Sequence, residues 1–246
     1  MVIYDYILMK AGSRMRDLNL MKAFYRVSVQ QEDINLVEAI LRERPDLAGK
    51  EISVPPDGNI SYTVFIGDEV FQAPTQSISV ERHSFDRGYE MMQSLEGSGL
   101  PVPKVTYVGQ ETDFYGMTRI PGVVLKDVLD TFTYEDKVQL GKDIAKFIVD
   151  LAEALPARDG NFVHHFDLNG GNILVDPETK KLTGVVDFGG VSYAEKSRLC
   201  ENGIDEAYIS KVIDTEVKRL LHDSNIQPSL KIKNSRFFHR HQHLKR

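Results

Sequence analysis

The segment "HHFDLNGGNILVD", residues 164–176, decides how this sequence is interpreted. It places a histidine, an aspartate and an asparagine close together and then continues into apolar residues typical of a β-strand. The residues that follow, "PETKK" and "LTGVVDFGG", predict a turn and a second strand. Because a hairpin folds back on itself, Asn172 at its entry and Asp187 at its exit are expected to face one point, near Asp167.

The three side chains Asp167, Asn172 and Asp187 together suit phosphoryl transfer. Two oxygen ligands suit a hard divalent cation, and one free carboxylate suits a hydroxyl that has to lose its proton. The transition state of phosphoryl transfer needs its charge neutralised by metal and its nucleophile aligned. A loop aspartate or asparagine taken alone is usually a turn residue. The prediction therefore depends on both segments occurring together, each beside apolar strand residues.

Strands dominate the first half of the chain. In "SYTVFIGDEVFQA", residues 61–73, alternating side chains on both sides of a Gly-Asp turn predict a β-hairpin. Residues 100–125 predict two further strands around a polar turn. One helix is predicted before the hairpin, from Gln31 to a stop at Pro45, and another after it, over Val80–Leu95.

Helices dominate the second half. Thr133 and Asp136 have the spacing of a capping box, and an apolar stripe follows them as far as Pro156. A last helix is predicted over residues 205–221. Its inward-facing residues are expected to be Ile209, Val212, Ile213 and Leu220. The predicted fold class is α+β in two lobes, one rich in strands and the other mainly helical.

We divide the chain into four parts on these patterns. Residues 1–30 form an extension without a clear period, residues 31–122 the strand-rich lobe, and residues 123–223 the helical lobe. Residues 224–246 form a basic tail with six lysines and arginines and no acidic residue. The tail is expected to be a solvated terminus; RNA, an acidic partner or a metal are its alternative contacts.

Composition limits the class of protein. The 246 residues carry a net charge of −6, and since the tail is basic, the excess of acids lies in the rest of the chain. That part is not expected to bind nucleic acid. No apolar run approaches the roughly 20 residues that span a bilayer, so no membrane partner is expected. The single cysteine, Cys200, predicts a reducing compartment, and we expect the cytoplasm.

The two motifs have the spacing of the protein-kinase signature, H-R-D-x-x-x-x-N followed by D-F-G. "HFDLNGGNILVD" and "GVVDFG" resemble the aminoglycoside phosphotransferase and choline kinase family, which has the two-lobed protein-kinase-like fold. Three further segments, "DGNISYTVFIGDEVFQAP", "LPVPKVTYVG" and "YGMTRIPGVVL", resemble the first lobe and hinge of that family, particularly the aminoglycoside 2″-phosphotransferase branch. The resemblance covers roughly residues 31–200.

The resemblance implies a role for each candidate residue. Asp167 would be the catalytic base, Asn172 and Asp187 the Mg²⁺ ligands, and His165 a structural support of the loop. The strand-rich lobe would bind ATP or GTP. Its implied nucleotide contacts are the turn Gly58–Ser61 over the phosphates, residue Gln72, and the base pocket formed by Met117, Thr118 and Ile120. The acceptor would be a hydroxyl of a small molecule, with an aminoglycoside as the nearest example in the family.

The sequence departs from the family at the phosphate-binding ion pair. Gln72 stands where the family has a lysine. Counting along the next helix to the lysine's usual glutamate partner leads to Gly88, with Arg87 beside it. Glu81 and Glu90 lie a turn or more away. Both halves of the ion pair are therefore expected to be missing, which is self-consistent because losing one half alone would leave a charge unpaired.

A second departure concerns the acceptor. After D-F-G the family has two acidic residues, of which Glu195 matches the first, whereas Leu199 replaces the second. The chain after Leu199 is also shorter than the helical region that forms most of the acceptor pocket in the family. Two alternatives to a small-molecule kinase follow from these departures. One is a nucleotide-binding pseudokinase or interaction protein, and the other is a kinase-like enzyme that acts on a protein.

Overall fold

The computed structural model describes residues 31–55, 61–74 and 79–223. The predicted extension 1–30, the predicted tail 224–246 and the candidate nucleotide contact Gly58 lie outside these residues. Of the segments described, the first half consists of one sheet flanked by two helices, and the second half is mainly helical. This confirms the predicted α+β fold, while the four domain boundaries stay predictions.

The sheet of the first half is antiparallel and has five strands. Their order across the sheet is β1-β2-β3-β5-β4. Along the chain these strands are β1 (Ile52–Ser53), β2 (Ser61–Ile66), β3 (Glu69–Pro74), β4 (Val105–Val108) and β5 (Tyr115–Thr118). The hairpin β2–β3 is the predicted one, and the positive φ of Gly67 (59°) suits its two-residue loop.

Two helices pack near this sheet. They are α1 (Gln31–Glu43), which ends before Pro45 as predicted, and α2 (Ser79–Ser94). The buried residues of α1 recur at helical spacing and join a small core with strands β1 to β3. That core includes Val37, Ile40, Val64, Ile66 and Phe71. The strand-rich half is therefore built around an apolar cluster of its own.

The second half is built on two long helices. They are α4 (Tyr134–Ala154) and α5 (Ala207–Asp223), and a short helix α3 (Leu125–Val128) precedes them. The predicted capping box is present: Thr133 Oγ1 accepts from the Asp136 N–H at 3.2 Å, and the Asp136 carboxylate accepts from the Thr133 N–H at 2.9 Å. The apolar stripe of α4 is buried, since Leu140, Ile144 and Leu151 are at most 1% exposed.

The described residues of the second half also contain five short strands in two further sheets. One sheet has the order β6-β8-β9, and β7 pairs with β10. Their bounds are β6 (Val123–Val124), β7 (Phe162–His165), β8 (Ile173–Val175), β9 (Leu182–Val185) and β10 (Val191–Ala194). The hairpin β8–β9 is the one predicted from "NILVD" and "LTGVVDFGG". Neither β7 nor β10 was predicted, because each has only four residues and mixes polar with apolar side chains.

Helices α4 and α5 approach closely at Gly141. A Cβ atom built on Gly141 would lie 2.8 Å from Cγ1 of Val212, closer than carbon atoms normally approach. Val212 therefore contacts α4 as predicted, although Val217 and Leu221, which the sequence reading omitted, are more deeply buried than Val212 and Leu220. The small residue at position 141 thus sets the distance between the two helices.

We expect Gly141→Ala to destabilise the protein through Val212. Alanine favours a helix over glycine by about 1 kcal/mol, but overpacking a core costs about 1–3 kcal/mol. Val212→Ala should make room for the new methyl group, so the two changes should be coupled by about 1 kcal/mol or more in a double-mutant cycle. Urea unfolding of the four proteins measures this coupling. Strictly additive effects would contradict the close helix contact.

Candidate active site

The pairing of β7 with β10 places the loop 166–172 beside the D-F-G segment. His165 lies opposite Val191 in this pair, and the Phe166 N–H donates to the Gly190 carbonyl at 3.3 Å. A Cβ atom built on Gly190 would lie 3.0 Å from Cβ of Asp167. The second glycine after D-F therefore allows the loop that carries Asp167 to come close to the segment that carries Asp187.

The carboxylate of Asp167 is held by two asparagine side chains. Its Oδ1 accepts from Asn169 Nδ2 at 2.7 Å, and its Oδ2 accepts from Asn172 Nδ2 at 3.0 Å. The same Asn172 nitrogen donates to the Asp167 carbonyl at 2.8 Å. The amide oxygen of Asn172 takes no part in these bonds. The predicted pair Asp167 and Asn172 is thus in direct contact, and this contact does not use the amide oxygen of Asn172.

The sequence reading missed Asn169. Its Oδ1 accepts from the Gly171 N–H at 2.7 Å, so that the residue closes a turn and orients Asp167 at the same time. An asparagine that hydrogen-bonds the backbone two residues later is a recurrent turn former. The "NGG" that follows Asp167 and Leu168 was therefore a usable signal for this bond.

Asp187 has a left-handed backbone conformation, with φ 63° and ψ 64°. A non-glycine residue in this region is strained, and such residues cluster at functional sites. Burial by the surrounding protein raises the pKa of Asp187, and the charge of Asp167 raises it further, whereas His165 acts in the opposite direction. Since the residue is still exposed on one side, solvent screening keeps the effect moderate. The two carboxylates are therefore close enough to repel each other.

His165 joins the loop to the D-F-G segment. The ring is 1% exposed, its Nε2 lies 3.0 Å from the Val186 carbonyl, and it meets Phe188 edge-on at 5.3 Å between centroids. Burial lowers the pKa of His165, so the ring is neutral and its Nε2–H donates to Val186. This geometry suits a structural support.

Gly88 does not face Gln72. A Cβ atom built on Gly88 would lie 3.2 Å from the backbone nitrogen of Gly189, so this side of α2 packs against the D-F-G backbone. The aromatic residues Phe85 and Tyr89 of α2 face the sheet instead, with their ring centroids 4.8 and 5.5 Å from that of Tyr115. Any larger residue at position 88, a glutamate included, would therefore require the Gly189 backbone to move by a few tenths of an ångström.

The structure gives Gln72 an uncharged partner. Its Oε1 accepts from the Tyr115 hydroxyl at 2.7 Å, and its Nε2 lies 3.4 Å from Thr63 Oγ1. Arg87 and Glu90 are exposed on α2, and the side chain of Glu81 lies outside the described residues. Where the resemblance implies a lysine–glutamate pair, this chain thus has a neutral hydrogen bond between Gln72 and Tyr115.

The remaining candidate nucleotide contacts lie on the sheet or just after it. Ser61 begins β2, with its Oγ 3.5 Å from Thr63 Oγ1. Met117 is buried in β5, and the Thr118 hydroxyl accepts from the Lys104 N–H at 3.0 Å. Ile120 follows β5 and contacts β9, since its Cγ2 would lie 2.7 Å from a Cβ atom built on Gly184.

The segment after D-F-G is attached to the loop by Arg198. Its guanidinium lies over the Phe166 ring at 5.0 Å and donates to both oxygens of Glu201, at 2.9 and 2.7 Å. Glu195 is exposed, whereas Leu199 is fully buried in the main core. Leu199, which the resemblance places at the family's second acidic position, therefore packs in the core.

The model of the phosphotransferase enzyme family (APH) matches residues 134–195, from α4 to the segment after D-F-G. This confirms the resemblance suggested by the sequence, over the part of the chain that carries Asp167, Asn172 and Asp187. No curated protein matches the sequence.

Solved aminoglycoside phosphotransferases have a similar fold. The GDP complex of an aminoglycoside 2'-phosphotransferase-IIIa gives a TM-score of 0.63 at 17% identity, over 76% of this chain and 83% of that one. The streptomycin–ATP ternary complex of APH(2")-IIa gives 0.56 at 16%, over 73% and 81%. An aminoglycoside-3'-phosphotransferase of type VIII gives 0.55 at 18%, over 76% and 92%. At these identities the likeness concerns the fold alone.

Membrane-spanning segments are absent from residues 31–55, 61–74 and 79–223, where no helix combines the required length with the required apolar character.

We expect His164 to make the protein less stable in mild acid. His164 is 1% exposed, and burial lowers its pKa to about 4. The charges of His165 and Arg198 contribute to this lowering, whereas the charge of Glu201 opposes it. Between pH 6.5, the usual pKa of histidine, and pH 4, His164 is protonated in the unfolded chain but neutral in the folded protein. The free energy of unfolding therefore falls as the pH decreases through that range. From pH 7 to pH 5 the loss due to His164 should be about 2 kcal/mol.

Urea unfolding at the two pH values tests this expectation. His164→Gln should reduce the acid loss, while the control His222→Gln should not, because the His222 side chain is 90% exposed. An undiminished acid loss in the His164 variant would contradict the assignment.

Proposed function

We propose that this protein is a Mg²⁺-dependent phosphotransferase that moves the γ-phosphoryl group of ATP or GTP to a hydroxyl of a small molecule. One observation carries the proposal. Asn169 and Asn172 hold the carboxylate of Asp167, and burial together with the charge of Asp167 raises the pKa of Asp187, whose backbone is left-handed. The family match over residues 134–195 supports the reaction class.

The donor set fits a magnesium ion. Mg²⁺ is commonly held by one or two protein carboxylates together with substrate phosphates and waters. Asp187 and the free amide oxygen of Asn172 would hold it. Within the described ranges no cluster of three or more His, Cys, Asp or Glu side chains is arranged for a metal. Substrate phosphates and waters would therefore have to complete the shell. When bound, the ion would neutralise phosphate charge. The mutual repulsion of Asp167 and Asp187 favours a cation here.

Asp167 is proposed to accept the proton of the acceptor hydroxyl. Its two oxygens are oriented by Asn169 and Asn172, which limits its rotation and keeps the carboxylate aimed at one place. His165 stays neutral and holds the loop at a constant distance from Asp187 through the Val186 carbonyl. The chain would thus provide a positioned base for this step.

The nucleotide is proposed to lie along β2, β3 and the end of β5. Residues Met117, Thr118 and Ile120 would contact the base, and the turn Gly58–Ser61 would cover the phosphates. The similar structures include complexes with GDP and with ATP, which supports a nucleoside triphosphate as co-substrate. From residue 51 to residue 81 the sequence contains no lysine or arginine. Binding should therefore depend strongly on the divalent cation.

The acceptor is proposed to be an aminoglycoside-like small molecule. One similar structure was solved with streptomycin bound, and the acidic part of this chain suits a cationic acceptor. The lone cysteine and the expected small-molecule substrates suit a cytoplasmic enzyme. The buried Leu199 and the pairing of Arg198 with Glu201 make the acceptor side differ from the family pattern.

A second candidate function is nucleotide binding without catalysis. It is favoured by the Gln72–Tyr115 hydrogen bond, which replaces a charged phosphate contact by a neutral one. Turnover of ATP and GTP with a panel of aminoglycosides separates the two functions, since a binding protein would show nucleotide affinity without turnover.

Asp167→Asn should lower phosphoryl transfer by roughly 10²–10⁴-fold, the usual contribution of a general base, and leave nucleotide Kd nearly unchanged. Steady-state turnover and calorimetric binding are the measurements. Asp205→Asn, an exposed aspartate outside the site, serves as the control. Full turnover by the Asp167 variant would exclude this residue as the base.

Asp187→Ala should abolish the dependence of nucleotide affinity on Mg²⁺, because it removes the carboxylate proposed to hold the ion. Calorimetry of ATP and GTP with Mg²⁺ and with a chelator measures it, and Asp205→Ala is the matched control. A Mg²⁺ effect as large as in the unaltered protein would argue against the metal site.

A further inference from the structure

The phosphate side of β3 carries a cross-strand pair that the family roles do not account for. Gln72 in β3 lies directly opposite Tyr115 in β5. The Tyr115 hydroxyl donates to Gln72 Oε1 at 2.7 Å, and Tyr115 is 4% exposed. A buried hydroxyl needs a partner, and this bond provides it. The bond also fixes which end of the Gln72 carboxamide faces which neighbour.

With its oxygen engaged, Gln72 directs its Nε2 away from Tyr115. On that side Thr63 Oγ1 lies within reach as an acceptor, at a long 3.4 Å. An amide nitrogen has two hydrogens, so at least one remains available for a ligand. Thr63 lies two residues after Ser61, at the end of β2 that continues from the turn proposed to cover the phosphates. Gln72 itself is only partly buried, so its amide is accessible.

The Tyr115 ring is fixed by the helix next to it. Phe85 and Tyr89 of α2 pack on it, with ring centroids 4.8 and 5.5 Å away. Burial and the charges of Asp187 and Asp86 raise the pKa of Tyr115, so the hydroxyl keeps the proton that it donates to the Gln72 oxygen. The influence of Asp187 also shows that this pair borders the candidate site.

We propose that Tyr115 is a positioning residue for the nucleoside triphosphate, holding the Gln72 carboxamide so that its N–H₂ group donates to a phosphate oxygen. The proposal rests on the proposed function. Gln72, held by Tyr115, would then bind the phosphate in place of the lysine that the resemblance implies. The packing of Phe85 and Tyr89 on Tyr115 would hold α2 against the sheet in place of the ion pair. A lysine at position 72 would leave the Tyr115 hydroxyl without its acceptor.

The test is a double-mutant cycle of Tyr115→Phe and Gln72→Met. Calorimetry with Mg²⁺ gives the Kd of ATP and GTP, and of adenosine and guanosine, which lack phosphate. Tyr115→Phe should raise the triphosphate Kd by about 3- to 10-fold, the value of one hydrogen bond, and leave nucleoside affinity within about 2-fold. In the Gln72→Met background the same change should have no further effect, because Tyr115 acts through Gln72.

Tyr89→Phe is the matched control, since its hydroxyl bonds Gln93 and its ring belongs to the same aromatic cluster. It should change no Kd by more than about 2-fold. Gln72→Glu provides a second variant, because it keeps an acceptor for Tyr115 but turns a carboxylate towards the phosphates. Its triphosphate Kd should rise by about 10-fold or more, as expected when a charged group replaces a donor.

An equal loss of triphosphate and nucleoside affinity in Tyr115→Phe would show a general structural role and overturn the inference. Unchanged triphosphate affinity in Tyr115→Phe or in Gln72→Glu would overturn it as well, while leaving the proposed function intact. Absence of triphosphate binding by the unaltered protein would overturn the proposed function and this inference together.

Discussion

The backbone of Val186 holds the candidate site together. Its N–H donates to the Asn172 carbonyl at 2.9 Å, and its carbonyl accepts from His165 Nε2 at 3.0 Å. These two bonds join the loop that carries Asp167 to the residue preceding Asp187. Since buried polar groups are costly to leave unpaired, the bonds keep the two segments in one relative position. The geometry of the proposed base and of the candidate metal ligands depends on that position.

A second constraint comes from glycine contacts around the same segment. Gly88 of α2 packs on Gly189, and Gly190 packs on Asp167, in both cases at distances that leave no room for a larger side chain without displacement. The helix is therefore held against D-F-G by backbone packing. In that arrangement the helix is placed without an ion pair between β3 and α2. Gln72 and the aromatic cluster around Tyr115 can therefore occupy this region, and no buried charge is left unpaired.

Much of the fold followed from periodicity and turn chemistry. The hairpins β2–β3 and β8–β9 were predictable because alternating side chains and Gly-Asp or "PETKK" turns are local signals. Helix α4 was predictable from its capping box and apolar stripe. The strands β7 and β10 were not, because each is short and is stabilised by a partner more than twenty residues away. For α5 the spacing indicated the helix and the buried Ile209 and Ile213, but not that Val217 and Leu221 would be more buried than Val212 and Leu220.

The sequence by itself determined which residue types the candidate site contains, because Asp167, Asn172 and Asp187 occur at the motif spacing expected for phosphoryl transfer. The strand register and the packing of α2 were decided only in the tertiary structure. That Gln72 faces Tyr115, and that Gly88 faces Gly189 rather than Gln72, depends on contacts between residues distant in the chain. Periodicity shows which side of an element is apolar, but it does not show which residue of another element lies opposite.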